Sequence, residues 1–325
     1  MGVWGVAAGN VLAATVSPIV LVQPMSRSDV GNSIAQHFAR WLPHYLPVDA
    51  HVHRPSVGKG MEAIRWAGQS PEADRTLLLI SQLWLAQMEG IAPAVGATSG
   101  WIPLQVVLKG TWCLMAPQKQ HLPDYSALQT WLQSLQRPVR LAVPHNFGPP
   151  ELWRQAMSRK TGLPWISHSV ASARQSLQAL ASGAVDLALD RCGDSAQALD
   201  VWRSAARSER SPVQVLAQLG VPKPLPVASF SQWRLPPLAP GWMGWFVRAE
   251  MPMSRQVALG KALHAILLRE DTQALISALQ QQPLTLSTAD SRLLVHRTQE
   301  QDQLLRLWLE RAGDPLSGPE RAAPL

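Results

Sequence analysis

Short apolar runs alternate along this chain with longer stretches in which apolar residues recur every three or four positions. The runs lie at 19–22, 76–80, 106–108, 113–115, 139–143, 185–189 and 213–217, and each predicts a strand. Most are followed by a helical pattern. The clearest places Ile34, Phe38, Trp41 and Leu42 on one stripe. A further apolar stretch at 242–247 predicts a strand, with helices after it over 254–268, 271–279 and 298–310. Alternating β and α elements argue for open α/β sheets covered by helices. At 325 residues the chain exceeds the usual single core, so two lobes are expected.

Local chemistry marks several helix starts. Ser172-x-x-Gln175 and Thr298-x-x-Gln301 read as capping boxes, and Pro149-Pro150-Glu151 suits a first helical turn that Gly162 later closes. The helices beginning near Gly31, Pro149 and Ser172 all follow strand-like runs. In open α/β sheets ligands bind at the carboxyl ends of strands, and helix N-termini there favour anions. The segment 222–240 is rich in proline and lacks a period, so it predicts a surface loop.

Composition narrows the function classes. The net charge is +7, but the basic residues are dispersed (Arg40, Arg65, Arg75, Arg140, Arg203 and Arg234), with no basic run interleaved with aromatics, so no nucleic-acid partner is expected. The 14 tryptophans predict core and lobe-interface packing rather than ligand platforms. Cys113 and Cys192 each lie in or just after an apolar run, and both are expected as buried free thiols. The small, apolar opening resembles a secretory signal at 1–16, although no Lys or Arg precedes it and the first basic residue is Arg27.

Enzymatic motifs are missing. The chain has no Gly-x-Ser-x-Gly, no phosphate loop and no Gly-x-Gly-x-x-Gly. His145 beside Asn146 is the best catalytic candidate, and it has no visible nucleophile. His51 and His53 point to one face of an extended stretch with His44 nearby, but no cysteine or carboxylate pair joins them, so no metal is assigned. Gly58-Lys59-Gly60 reads as a flexible loop rather than a phosphate cradle. Asp186 and Asp190 bracket one strand and are secondary candidates, since a carboxylate at a strand end is most often a cap or an ion-pair partner. No cofactor is implied.

Five segments in order carry a family resemblance. They are the stretch Val22-Gln-Pro-Met-Ser-Arg-Ser-Asp-Val-Gly-Asn32, then His53-Arg-Pro-Ser-Val-Gly58 with Thr76-Leu-Leu-Leu-Ile80 after it, then Trp101-Ile-Pro-Leu104. The run Ser176-Leu-Gln-Ala-Leu-Ala-Ser-Gly-Ala-Val-Asp-Leu187 and the return segment Gly241-Trp-Met-Gly-Trp-Phe-Val247 with Pro252 complete the set. Together they resemble the Bug-type substrate-binding receptors of tripartite tricarboxylate transporters, from Ser17 to about Glu310.

That resemblance implies a two-lobed, periplasmic-binding-protein-like α/β fold with a hinge and a central ligand cleft. Lobe 1 would comprise 17–110 and 247–311, lobe 2 would comprise 111–246, and 312–325 would be a tail. It also implies a periplasmic, monomeric, non-enzymatic receptor that closes on a small carboxylate and delivers it to membrane permease subunits. The alternative is a degenerate receptor reporting to a membrane sensor. By position the ligand candidates are Ser26, Arg27, Ser28, Asp29, Asn32, Ser81, Asn146, Gly148 and Ser172, with Asp190 added as a strand-end carboxylate. The family presents glycine N–H groups in its first loop, whereas Ser28 and Asp29 stand here with Arg27 beside them. Arg27 is therefore expected to supply charge to a ligand carboxylate.

Overall fold

The structure is a computed structural model that describes residues 17–24, 29–53, 60–91, 100–144, 148–170, 172–206, 213–219, 228–229, 238 and 241–311. The signal-like segment 1–16, the tail from 312 and most of 222–240 lie outside the described residues.

The apolar run at 19–22 forms β1 (Ile19–Val22), buried along its length, and it leads into α1 (Asp29–Trp41). Then come β2 (Ala50–His53), α2 (Gly60–Gln69), β3 (Thr76–Ser81) and α3 (Gln82–Ile91). Continuous burial of β1 and β3 suits parallel strands covered on both faces. The stripe on α1 meets that requirement, with Ile34 and Phe38, and Leu42 just beyond the helix, fully buried, and the Phe38 ring 5.6 Å from Trp245.

From β4 (Trp101–Gly110) the chain crosses to β5 (Trp112–Pro117), α4 (Tyr125–Ser134), β6 (Val139–Val143), α5 (Pro149–Thr161), β7 (Trp165–Ser169) and α6 (Ala173–Ser182). It continues through β8 (Leu187–Arg191), α7 (Cys192–Ala206), β9 (Val213–Leu219) and β10 (Ala228–Ser229). It returns as β11 (Gly241–Arg248), followed by α8 (Met253–Leu267), α9 (Glu270–Ala278), β12 (Gln282–Pro283) and α10 (Thr288–Arg311). One sheet has the order β12-β4-β11-β3-β1-β2 and the other β10-β9-β5-β8-β6-β7. Because β11 pairs with both β3 and β4, a boundary between 246 and 247 falls inside a strand of the first sheet. Gly244 sits at an irregularity of the β11–β4 pair. A Cβ there would approach the Gln105 carbonyl oxygen to 2.9 Å, so the strands close only around a glycine.

Two expectations about elements change. The strand expected at 185–189 begins at Leu187, because Val185 and Asp186 form the turn before it. The Asp186 carboxylate accepts from both Arg137 Nη atoms at 2.7 and 2.6 Å, from the Arg140 backbone N–H at 2.9 Å and from Arg140 Nη2 at 3.0 Å. Thr298 is not a helix start. α10 opens ten residues earlier, where the Ser287 hydroxyl caps the Asp290 N–H at 3.1 Å and donates to the Asp290 carboxylate at 2.7 Å. Thr298 instead lies inside the helix, bonded to the carbonyls of Leu294 and Val295 and accepting Trp242 Nε1–H at 3.0 Å.

The cysteines also require correction. Cys113 and Cys192 form a disulfide, with their Cα atoms 4.9 Å apart. In β5, Cys113 lies opposite Asp190 of β8, and the Cys192 N–H bonds to the Thr111 carbonyl as the chain turns into α7. That turn lays Cys192 over Cys113. Apolar surroundings identify each thiol as buried, but only the β5–β8 register reveals that they meet. Among the described residues no helix is long and apolar enough to cross a membrane.

Two predictions follow from this packing. Denatured, unreduced protein should show no titratable thiol, and reduction should cost roughly 2–4 kcal/mol of stability because a long chain loop is released; two free thiols before reduction would contradict the bridge. Burial alone would raise the Asp186 carboxyl, but the Arg137 and Arg140 hydrogen bonds outweigh it and hold the group at about 2. A depressed carboxyl stabilises the fold above its ordinary value of 3.8 and loses that effect as pH falls toward 2. Asp186→Asn should therefore cost about 2 kcal/mol at pH 7, with the difference from wild type narrowing between pH 4 and pH 2 in urea titrations.

Candidate functional site

The carboxyl ends of β1 and β3 face the question of ligand binding first, because parallel strands end there under helix N-termini. β1 runs out at Val22 into Gln23, which is 5% exposed and whose Nε2 has no hydrogen-bond partner among the described residues. β3 runs out at Ser81 into Gln82, both buried. Gln82 donates through Nε2 to the Asp302 carboxylate at 3.3 Å, while its Oε1 has no partner. Each strand end thus carries a buried polar atom left unpaired, a costly arrangement in a packed interior. The sequence-based reading named Ser81 but missed both glutamines. For Gln23 the signal was present as a polar residue directly after a wholly apolar strand.

Three segments converge on the same region. A Cβ on Gly60, the first residue of α2, would fall 2.6 Å from the Pro24 carbonyl oxygen and 2.4 Å from the Trp84 ring. Trp84, in the first turn of α3, therefore wedges between the ends of β1 and the start of α2. Gly148 caps α5 with φ +70°, a backbone conformation that favours glycine. A Cβ at Gly148 would sit 3.3 Å from Ala86 Cβ and 3.4 Å from Leu83 Cδ2. The first turns of α3 thus meet the N-terminus of α5, and this brings the segments of Ser81 and Gly148 together.

Other candidates are distributed differently. Ser26, Arg27, Ser28, Asn146 and His145 lie outside the described residues, as do Lys59 and its neighbouring glycine Gly58. Asp29 opens α1, and Asn32 is half-buried in its first turn. Ser172 is exposed and caps α6 by accepting the Gln175 N–H at 3.3 Å. Asp190 is buried, accepting the Ser176 hydroxyl at 3.0 Å and the Arg191 N–H at 2.8 Å. Burial, reinforced by the nearby Asp194 carboxylate, pushes its carboxyl up to about 6 despite those two hydrogen bonds. Asp190 therefore changes charge near neutral pH, whereas Asp186 stays ionised. The His53 ring stacks on Trp66 at 4.1 Å and the His44 ring tilts against Trp41 at 4.7 Å. Among the described residues no group of His, Cys, Asp and Glu could hold a metal ion.

The helix termini constrain how an anion could be held. The first two residues of α5 are Pro149 and Pro150, which have no N–H, and the next two N–H groups already bond to the Gly148 carbonyl at 3.1 and 3.2 Å. The Glu151 carboxylate occupies the same turn and is saturated by Arg154, Gln155 and Ser167. The first turn of α5 therefore offers a dipole without free donors.

The two crossings between the sheets run side by side. Gly241 pairs with Gly110, and Gln281, in the turn from α9 to β12, reaches across to the Asp194 carboxylate at 3.4 Å. A Cβ on Gly193 would strike the Gln280 carbonyl oxygen at 2.4 Å, so the corner between β8 and α7 seats directly against that turn. The crossings are therefore glycine-lined and closely packed.

No family model matches the chain, and neither does any curated protein. Solved structures do. A structure described as a periplasmic transporter aligns over 94% of this chain and all of its own, with a TM-score of 0.73 and 14% identity. R. palustris Rpa4515 with adipate aligns over 90% of this chain and 97% of its own, at 0.71 and 15%. MatC from Rhodopseudomonas palustris with bound malate aligns over 92% and 98%, at 0.67 and 16%. With two six-stranded sheets joined by paired crossings and matched over nearly its whole length, the chain has the fold of the TctC/Bug-type periplasmic solute-binding proteins.

Proposed function

We propose that this protein is an extracytoplasmic receptor that closes on a small carboxylate and passes it to the membrane subunits of a tripartite tricarboxylate-type transporter, without catalysing a reaction. The observation that carries this reading is the agreement in fold over almost the full chain with proteins holding adipate and malate. The lobes would be the two sheets with their helices, hinged where Gly110 pairs with Gly241, so that β11 belongs to the first lobe. The Cys113–Cys192 bridge suits an oxidising compartment such as the periplasm.

The ligand would lie between the carboxyl ends of β1 and β3 and the segment leading to Gly148. Since the N–H donors in the first turn of α5 are already engaged, charge recognition would fall to side chains of the loop after β1: Ser26, Ser28 and above all Arg27, with Asn32 and Ser81 beside them and Asn146 and Ser172 contributed by the second lobe. A closed, water-poor cleft strengthens each such hydrogen bond.

Thermal-shift titration with malate, adipate, succinate and citrate tests the reading. A ligand that binds only the folded state at 100 times its Kd adds about 2.7 kcal/mol, so a clear rise in Tm is expected with at least one dicarboxylate and none with the matching diamide. A rise with the diamide alone would refute carboxylate recognition. Charge-assisted hydrogen bonds contribute about 1.5–3 kcal/mol, so Arg27→Ala should weaken the best ligand roughly 10- to 150-fold in calorimetric titration. Equal affinity would place the charge donor elsewhere.

A further inference from the structure

We propose that the C-terminal turns of α10 form a strap that ties the second sheet's α5 to the first sheet and sets how readily the two lobes separate. α10 has 24 residues and so spans about 36 Å. Its first half is fastened to the first sheet. The Ser291 hydroxyl accepts the Val106 N–H of β4 at 3.0 Å, Val295 lies in the first core, and Thr298 takes Trp242 Nε1–H of β11. One turn further, Asp302 accepts from Gln82 at the carboxyl end of β3.

Its last turns leave that sheet. Leu305, Trp308 and Leu309 pack on Leu152 and Ala156 of α5, in a small cluster separate from the larger cores. Arg159 of α5 lies over the Trp308 ring, 5.7 Å from its centroid, and also donates to the Leu309 carbonyl. α5 is the helix capped by Gly148, which meets Leu83 and Ala86 of α3. A single rigid rod thus holds one lobe at one end, touches the strand end where the ligand is expected, and grips the other lobe at its far end.

The size of the grip suits a device that opens. A few side chains join α10 to α5, whereas Val295, Ser291 and Thr298 anchor the rod within a large core. Separation of the lobes would break this small contact and leave the helix with the first sheet. A receptor whose closed form is favoured by the strap binds more tightly, because the apparent Kd equals the intrinsic Kd divided by the closed fraction.

The inference rests on the two-lobed reading above, but its main test needs no ligand. Spin labels at Gln36→Cys and Ser134→Cys, both exposed on helices of different sheets, report the lobe separation in the full chain by electron–electron distance measurement. Trp308→Ala and the milder Arg159→Ala should each raise the ratio of long to short distances at least threefold. Leu304→Ala, on the exposed face of α10, should leave it unchanged. With adipate or malate as probe, the Kd should rise by the factor by which the closed fraction falls. Distance distributions of Trp308→Ala and Arg159→Ala that superimpose on wild type would overturn the strap, whether or not either dicarboxylate binds. Should Trp308→Ala fail to fold, the Arg159→Ala distribution decides alone.

Discussion

The second sheet is tethered to the first by two strands that are hydrogen-bonded to each other. β4 carries the chain out and β11 brings it back, paired along their length from Gly241 and Gly110 to Arg248 and Trp101. Everything from 111 to 240 is thus an insertion whose entrance and exit are neighbours, so the second sheet can fold around its own core while its position depends on a narrow, glycine-lined junction. At Gly193 the Gln280 carbonyl comes too close for a side chain, and Gly110 leaves room for the Gln281 side chain to cross.

Within the second sheet, two carboxylates only four residues apart behave in opposite ways. Asp186, at the start of β8, is buried but surrounded by guanidinium and backbone donors, and it stays ionised well below neutral pH. Asp190, near the other end of the strand, has two donors and a neighbouring carboxylate, and its carboxyl is pushed up. Burial weighs more heavily on Asp190, and the neighbours differ as well: Arg137 and Arg140, from the turn and strand that pair beside β8, bond to Asp186, whereas the Asp194 carboxylate lies near Asp190. Asp186 thereby pins β6 to β8, while the Cys113–Cys192 bridge pins β5 to the end of the same strand.

The ligand side inherits its character from strand ends and helix starts. Trp84 and Leu83 fill apolar space between segments, while Gln23 and Gln82 leave polar atoms unpaired beside them. The prolines that begin α5 stabilise its first turn and remove the donors that such a turn would otherwise present. At this helix start an anion would meet side-chain donors rather than free backbone amides.

Much of this was legible in the residues alone. The strands at 19–22 and 139–143 coincide with the observed elements, because a continuous Val, Ile and Leu run has few other stable environments. The start of α5 at Pro149, its end at Gly162 and the Ser172 cap were equally local, as each depends on the dihedral or hydroxyl of the residue itself. Local signals also misled. Thr298-x-x-Gln301 fits a cap, yet Thr298 lies inside α10 and accepts from Trp242, from a strand far away in the chain. The disulfide, the pairing of β11 inside the first sheet, the opposite shifts of the Asp186 and Asp190 carboxyls and the reach of α10 to α5 were settled by tertiary structure alone. Each depends on which distant segments lie side by side, and periodicity in one segment carries no information about its neighbour in space.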